Sequence, residues 1–173
     1  MDDTGTNALA RSDRCRGLQD FAVAIRRHTL ILLDLFTDRE TLWHPRGTSN
    51  HALWHAGHVL WVQDVLCLQI INGTGELPSG WGPMFEMGSR PSRQRGGWPG
   101  KSEIREQLEK QIPRIVETLD SVSPSDLDAR PRFAHAGDPR TLWECVSHGF
   151  HDEANHQGEM YLLLKLKRSW RIL

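Results

Sequence analysis

Apolar residues recur at three- and four-residue spacing in four stretches of this chain, and no stretch shows the strict alternation of a half-buried strand. The first runs from about Leu18 to Phe36, with Leu18, Phe21, Ala22, Ile25, Leu32 and Leu33 along one stripe. The second follows RGTSN, where Ser49 or Asn50 can cap free amides, and continues to about Ile71 before NGTG stops it. The third opens at Ser102 and aligns Ile104, Leu108, Ile115 and Leu119; Pro113 inside it should bend the helix or split it in two. The fourth starts at Asp138-Pro139 and runs to about Lys167, ending in a basic KLKR that suits a helix C-terminus. Together they predict an all-α four-helix bundle.

The connection between helices two and three, Asn72 to Gly100, is long and rich in Gly and Pro. Structureless loops of that size are uncommon in compact domains. Trp81, Met84, Phe85, Met87 and Trp98 normally bury something, so the loop is expected to fold over one end of the bundle. Its arginines, Arg90, Arg93 and Arg95, read most simply as solvated charges, with an anionic substrate as the alternative. The length of 173 residues suits one domain, taken as 16–173 after a flexible segment 1–15.

Charge narrows the partners. The net charge of −1, with both signs spread along the chain, leaves no basic footprint for nucleic acid and no polybasic membrane patch. The longest apolar run, Leu30 to Phe36, is broken by Asp34 and too short to span a bilayer. Cys15, Cys67 and Cys145 are far apart, without a CxxC, and the polar start lacks the apolar run of a secretory signal. A cytoplasmic protein in a reducing compartment is expected, acting on a small molecule.

The chemistry concentrates in two helices. Asp152 and His156 are four residues apart, about 40° around a helical axis, and point into the same space. His151 and His156 diverge by about 140°, so they cannot share one small ion, and the HExxH zinc motif is absent. On the second helix His51, His55 and His58 form a stripe that turns apolar at Val62 and Val65. Bundles build metal sites from such inward-facing positions. Taken singly, His58 could be a hydrogen-bonded core histidine, and Asp152 with His156 a polar pair on a solvated face. His51 and His55 could line a site or serve the helix start. His148 lies one turn before Asp152, as a ligand or, more simply, a residue orienting one. Trp54, Trp61 and Trp143 read as core or dimer contacts, and Cys145 as a buried, inert thiol.

Asn50 with Trp54-His55-Ala56-Gly57-His58, followed late in the chain by Asp152 and His156-Gln157-Gly158-Glu159, resembles the DinB-like (YfiT/DinB) four-helix metalloprotein superfamily. The resemblance covers almost the whole chain, including the order of helices and the long middle loop. It implies a divalent metal, Zn or Ni with Fe or Mn as alternatives, held by His58 first and His156 last. Most relatives carry histidine where this chain has Asp152; the related mycothiol-dependent maleylpyruvate isomerases carry Glu there, one methylene longer. Relatives with known activities use low-molecular-weight thiols in transfer or isomerisation, and many form homodimers. The resemblance thus implies a metal-dependent, thiol-using transferase or isomerase, with His55 or Glu159 moving a proton. Its competitors are a non-catalytic metal- or small-molecule-binding stress protein and a metal-dependent hydrolase.

Overall fold

The computed structural model of the chain describes residues 4–48, 50–89, 91 and 97–169, with side chains from Asp13 onward. Among these residues there is helix and no strand. The elements are α1 (Thr4–Asp34), α2 (Asp38–Thr41), α3 (Ala52–Gln63), α4 (Ile70–Asn72), α5 (Gly82–Phe85), α6 (Lys101–Asp120), α7 (Pro124–Leu127) and α8 (Leu142–Ser169), and a π-helical stretch (Asp64–Gln69) joins α3 to α4. The predicted all-α bundle is present, built from α1, α3 with its continuation, α6 and α8.

Contacts fix how these helices run. α1 packs on α6 and α8, α3 packs on the same two, and α1 and α3 face each other across the diagonal. Phe21 meets Phe150 and His28 meets Gln157, so α1 and α8 are parallel. Gln19 bonds the Val116 carbonyl while Arg105 pairs with Asp34, so α6 opposes α1. Gln111 reaches the Leu60 carbonyl and Asn72 reaches Thr118, which makes α3 parallel to α6. The order is up, down, down, up.

The predicted stripes supply the core. Ile104, Leu108, Ile115 and Leu119 are fully enclosed, and Leu18, Ala22, Ile25, Leu32 and Leu33 are buried. Phe21 departs from its stripe: it is half exposed, with its ring edge-on to Phe150. α3 is buried all round, at every position from Ala52 to Leu60 and again at Val62 and Gln63. A helix enclosed on every side needs cover beyond its bundle partners. The 73–100 connection supplies it, for Leu77, Trp81, Met84 and Trp98 pack on the cluster around α3 and Phe85 is completely buried.

Several boundaries differ from the sequence reading. α1 begins at Thr4 rather than near Leu18. Ser49, like Arg90, Arg93 and Arg95, lies outside the described residues. The cap of α3 is instead His51, whose Nδ1 accepts the Trp54 amide at 3.0 Å. Pro113 does not split α6, which runs unbroken; the proline is on the exposed side, where water can serve the carbonyl it leaves without a donor. α8 starts at Leu142 rather than at Asp138-Pro139. Thr141 accepts the Glu144 amide at 3.2 Å, and Glu144 accepts the Thr141 amide at 2.7 Å, closing a capping box. Asp138 is taken up instead by the Arg140 side chain.

The π-helical stretch anchors the returning chain. Asp64 accepts the Glu76 amide at 2.6 Å and the Gln69 amide group at 2.7 Å. Burial pushes its carboxyl pKa up, against the pull of these donors. A Cβ on Gly75 would run into the same carboxylate, so glycine is required for the chain to pass so close.

Candidate metal centre

His58 on α3 faces Asp152 and His156 on α8; helical angles pair the last two, and the family resemblance supplies His58. The three offer ligand atoms that all lie within 4.8 Å of one another. Asp152 Oδ2 is 3.3 Å from His156 Nε2 and 3.7 Å from His58 Nε2. Two atoms each about 2.1 Å from a shared ion sit about 3.0 to 3.5 Å apart, so the spacing is close to that of a ligand set. Asp152 Oδ2 is buried and, among the described residues, has no hydrogen-bond partner. An orphaned carboxylate oxygen is costly to keep unless something charged completes it.

The hydrogen bonds behind the imidazoles suit the same purpose. His58 Nδ1–H donates to the Phe85 carbonyl at 2.6 Å, leaving the Nε2 lone pair directed at Asp152. His156 Nδ1 lies 2.7 Å from His55 Nδ1, so one ring must donate and the other accept. Burial and then the neighbouring His156, His51 and His58 hold His55 down at about 3, so it is neutral at ordinary pH. With a metal on His156 Nε2, the proton of the pair would sit on His156 Nδ1 and be donated to His55 Nδ1. Burial likewise lowers His58. Burial alone would raise Asp152, but His156 and then His58 more than offset it and keep the carboxylate ionised. Two imidazoles and one carboxylate are a donor set that suits a divalent cation with positions left open.

The remaining candidates divide. His55 touches His156 from behind. His51 serves as the α3 cap, with Trp98 edge-on at 5.0 Å. His148 and Glu159 are exposed on α8, on the turns before Asp152 and after His156. Cys145 is buried with Cys67 in the core at the other end of the bundle, and burial raises both thiols. Trp54, read from sequence as core or dimer contact, is part of the site wall. Its ring stacks on His58 with centroids 4.7 Å apart and planes 19° from parallel, and it stands edge-on to His55 and His156.

Beneath the site lies a buried polar network that helical spacing did not reveal. Arg26 Nε donates to Glu153 at 2.9 Å, Nη1 to the Leu108 carbonyl at 2.8 Å, and Nη2 to Gln111 at 3.1 Å. Glu153 also accepts Thr29 at 2.6 Å and Gln63 at 3.0 Å. Gln157 reaches the Ile25 carbonyl and Thr29. Glu153 and Gln157 each follow a member of the candidate trio, so the network fixes α8 in rotation and turns Asp152 and His156 toward α3.

Helix order, the long covering loop and the histidine–carboxylate trio agree with one family. No curated protein gives a significant match to the chain. The model of the DinB superfamily matches residues 22–160, and the chain belongs to that superfamily.

Proposed function

We propose that the protein is a divalent-metal-dependent enzyme that uses a small thiol cosubstrate in transfer to, or isomerisation of, an electrophilic small molecule. The observation that carries this reading is the buried, partnerless Oδ2 of Asp152 between two imidazole nitrogens. His58, Asp152 and His156 would hold the ion, Zn or Ni foremost, with Fe or Mn as alternatives. When bound, such a cation lowers the pKa of a thiol or water brought to it and so supplies a nucleophile at neutral pH.

The chain's own groups do the rest. Trp54 and Phe85 keep water from the inner side of His58, whose side chain is 5% exposed, while Asp152 at 23% leaves the outer side open to substrate. His55 orients His156; Glu159, exposed one turn further on, is the candidate for handing a proton to a leaving group. The nucleophilic thiol comes from outside, because burial raises the pKa of each of Cys15, Cys67 and Cys145. Three free cysteines suit a reducing, cytoplasmic setting. Half-exposed Ile31 on α1, Leu35 in the turn after it and Leu162 on α8 suit pairing with a second copy, which light scattering would register as twice the monomer mass. No helix among the described residues is long and apolar enough to cross a membrane.

Elemental analysis of protein purified without a metal-affinity tag should find about one divalent ion per chain, and His58→Ala should lose it; metal retained in that variant sinks the ligand assignment. In cobalt-substituted protein, added low-molecular-weight thiols should shift the visible spectrum through sulfur-to-metal bonding. A spectrum indifferent to every thiol would favour the binding-protein or hydrolase reading.

A further inference from the structure

We propose that the main-chain carbonyl of Phe85 is a positioning group for His58, and that residue 57 is glycine so that α5 can bring this carbonyl to the imidazole. The inference rests on the metal reading of His58, Asp152 and His156, and extends it to the 73–100 connection.

α5 is a single helical turn, and the chain leaves it at Glu86 in extended conformation. Its last carbonyls therefore have no following amides and need other donors. The Phe85 carbonyl finds His58 Nδ1–H at 2.6 Å. Reaching it demands close approach of α5 to α3. A Cβ on Gly57 would overlap the Phe85 ring, which is completely buried, flanked by Trp81 and Trp98 at 5.8 and 5.5 Å, and has nowhere to retreat. A glycine inside a helix costs about 1 kcal/mol against alanine, and close packing of this kind is what compensates it.

A second tie holds the same segment. Trp54, stacked on His58, donates its indole N–H to Ser89 Oγ at 2.8 Å. The loop thus grips the imidazole directly at Phe85 and through Trp54 at Ser89. Since His58 would hold the ion through Nε2, anything that fixes the ring at Nδ1 raises metal affinity. Linkage makes the effect reciprocal: bound metal must steady residues 81–89 by the same free energy.

Gly57→Ala, in otherwise intact protein, separates the parts. In metal-free wild type, nitrogen-15 NMR should show His58 as the Nδ1–H tautomer with a strongly hydrogen-bonded proton; Gly57→Ala should lose that signature. Zinc affinity from chelator competition should fall by about 10- to 100-fold, the usual effect of losing a partner that orients a ligand. Added zinc should slow amide exchange in residues 81–89 of wild type and leave the variant's rates unchanged. Phe85→Ala tests the anchor without adding bulk and carries the test should Gly57→Ala fail to fold; it too should bind zinc more weakly. The double variant should bind no worse than Phe85→Ala, since the ring the new methyl would strike is gone. Wild-type tautomer and zinc affinity in either single variant would overturn the positioning role, as would exchange in 81–89 that ignores zinc. Wild-type protein that binds no zinc, cobalt or nickel while keeping the His58 tautomer would overturn the metal reading and this inference together.

Discussion

Arg26 shows how a single side chain can govern the interior without announcing itself. It sits in a polar run, Arg26-Arg27-His28, yet it is 1% exposed and pairs with Glu153, 127 residues away. Removing one member of a buried ion pair leaves the other uncompensated and costs about 3–5 kcal/mol. Arg26→Met should lower the unfolding free energy by that amount, read as a lower urea midpoint at unchanged slope, whereas Arg26→Met with Glu153→Leu should recover most of it. A single variant within about 1 kcal/mol of wild type would show that water relieves the stranded carboxylate. The contrast with the candidate site is instructive. Asp152 and His156 were legible because one helical turn separates them, and His58 because an inward stripe and a family resemblance supplied the facing helix. Arg26, Gln63 and Gln157 were not, because partners on different helices have no fixed spacing. Gly57 was readable in principle, since glycine in a helix interior signals close approach.

At the level of elements, the helices were clear and their ends were not. Periodicity gives the middle of a helix, while caps decide its boundary. For α8 a favourable Asp-Pro start competed with a Thr141–Glu144 capping box three residues on, and the box prevailed because Arg140 engages Asp138. Thr141→Ala should cost about 1 kcal/mol and speed exchange in the first turn of α8; unchanged exchange would mean that packing alone sets the boundary. The Arg140 fork, with the Arg140 amide added, holds the Asp138 carboxyl at about 2. A folded pKa below the unfolded one contributes stability above the unfolded value of about 3.9 and loses it as pH falls through the folded one. Carboxyl carbon-13 titration should place Asp138 near 2 in wild type and return it toward 3.9 in Arg140→Ala; a midpoint unmoved by that change would mean another donor holds it. α7 went unread because four residues carry no period, although Ser123 and Asp126 form a box of the same kind.

For the whole molecule, class and helix order were legible, but direction was not. Apolar stripes say which faces are buried, and nothing about which neighbour buries them. The long cover over α3 makes its enclosure intelligible only once the loop is folded. α1 and α8, the first and last long helices, lie side by side, so α8 completes both the ion pair at Arg26 and the candidate site at His58. Residues 1–141 alone should therefore show no cooperative urea transition by circular dichroism; a sharp one would mean that the other three helices form a stable core unaided. The parallel pairing has a further consequence in time. During synthesis Arg26 waits for its carboxylate until Glu153, 127 residues on, has been made, and contacts of such long sequence separation slow folding for a helical protein. Until α8 docks, that guanidinium has the Leu108 carbonyl and Gln111 within reach but no carboxylate to neutralise it, which disfavours closing the interior around the wrong helix.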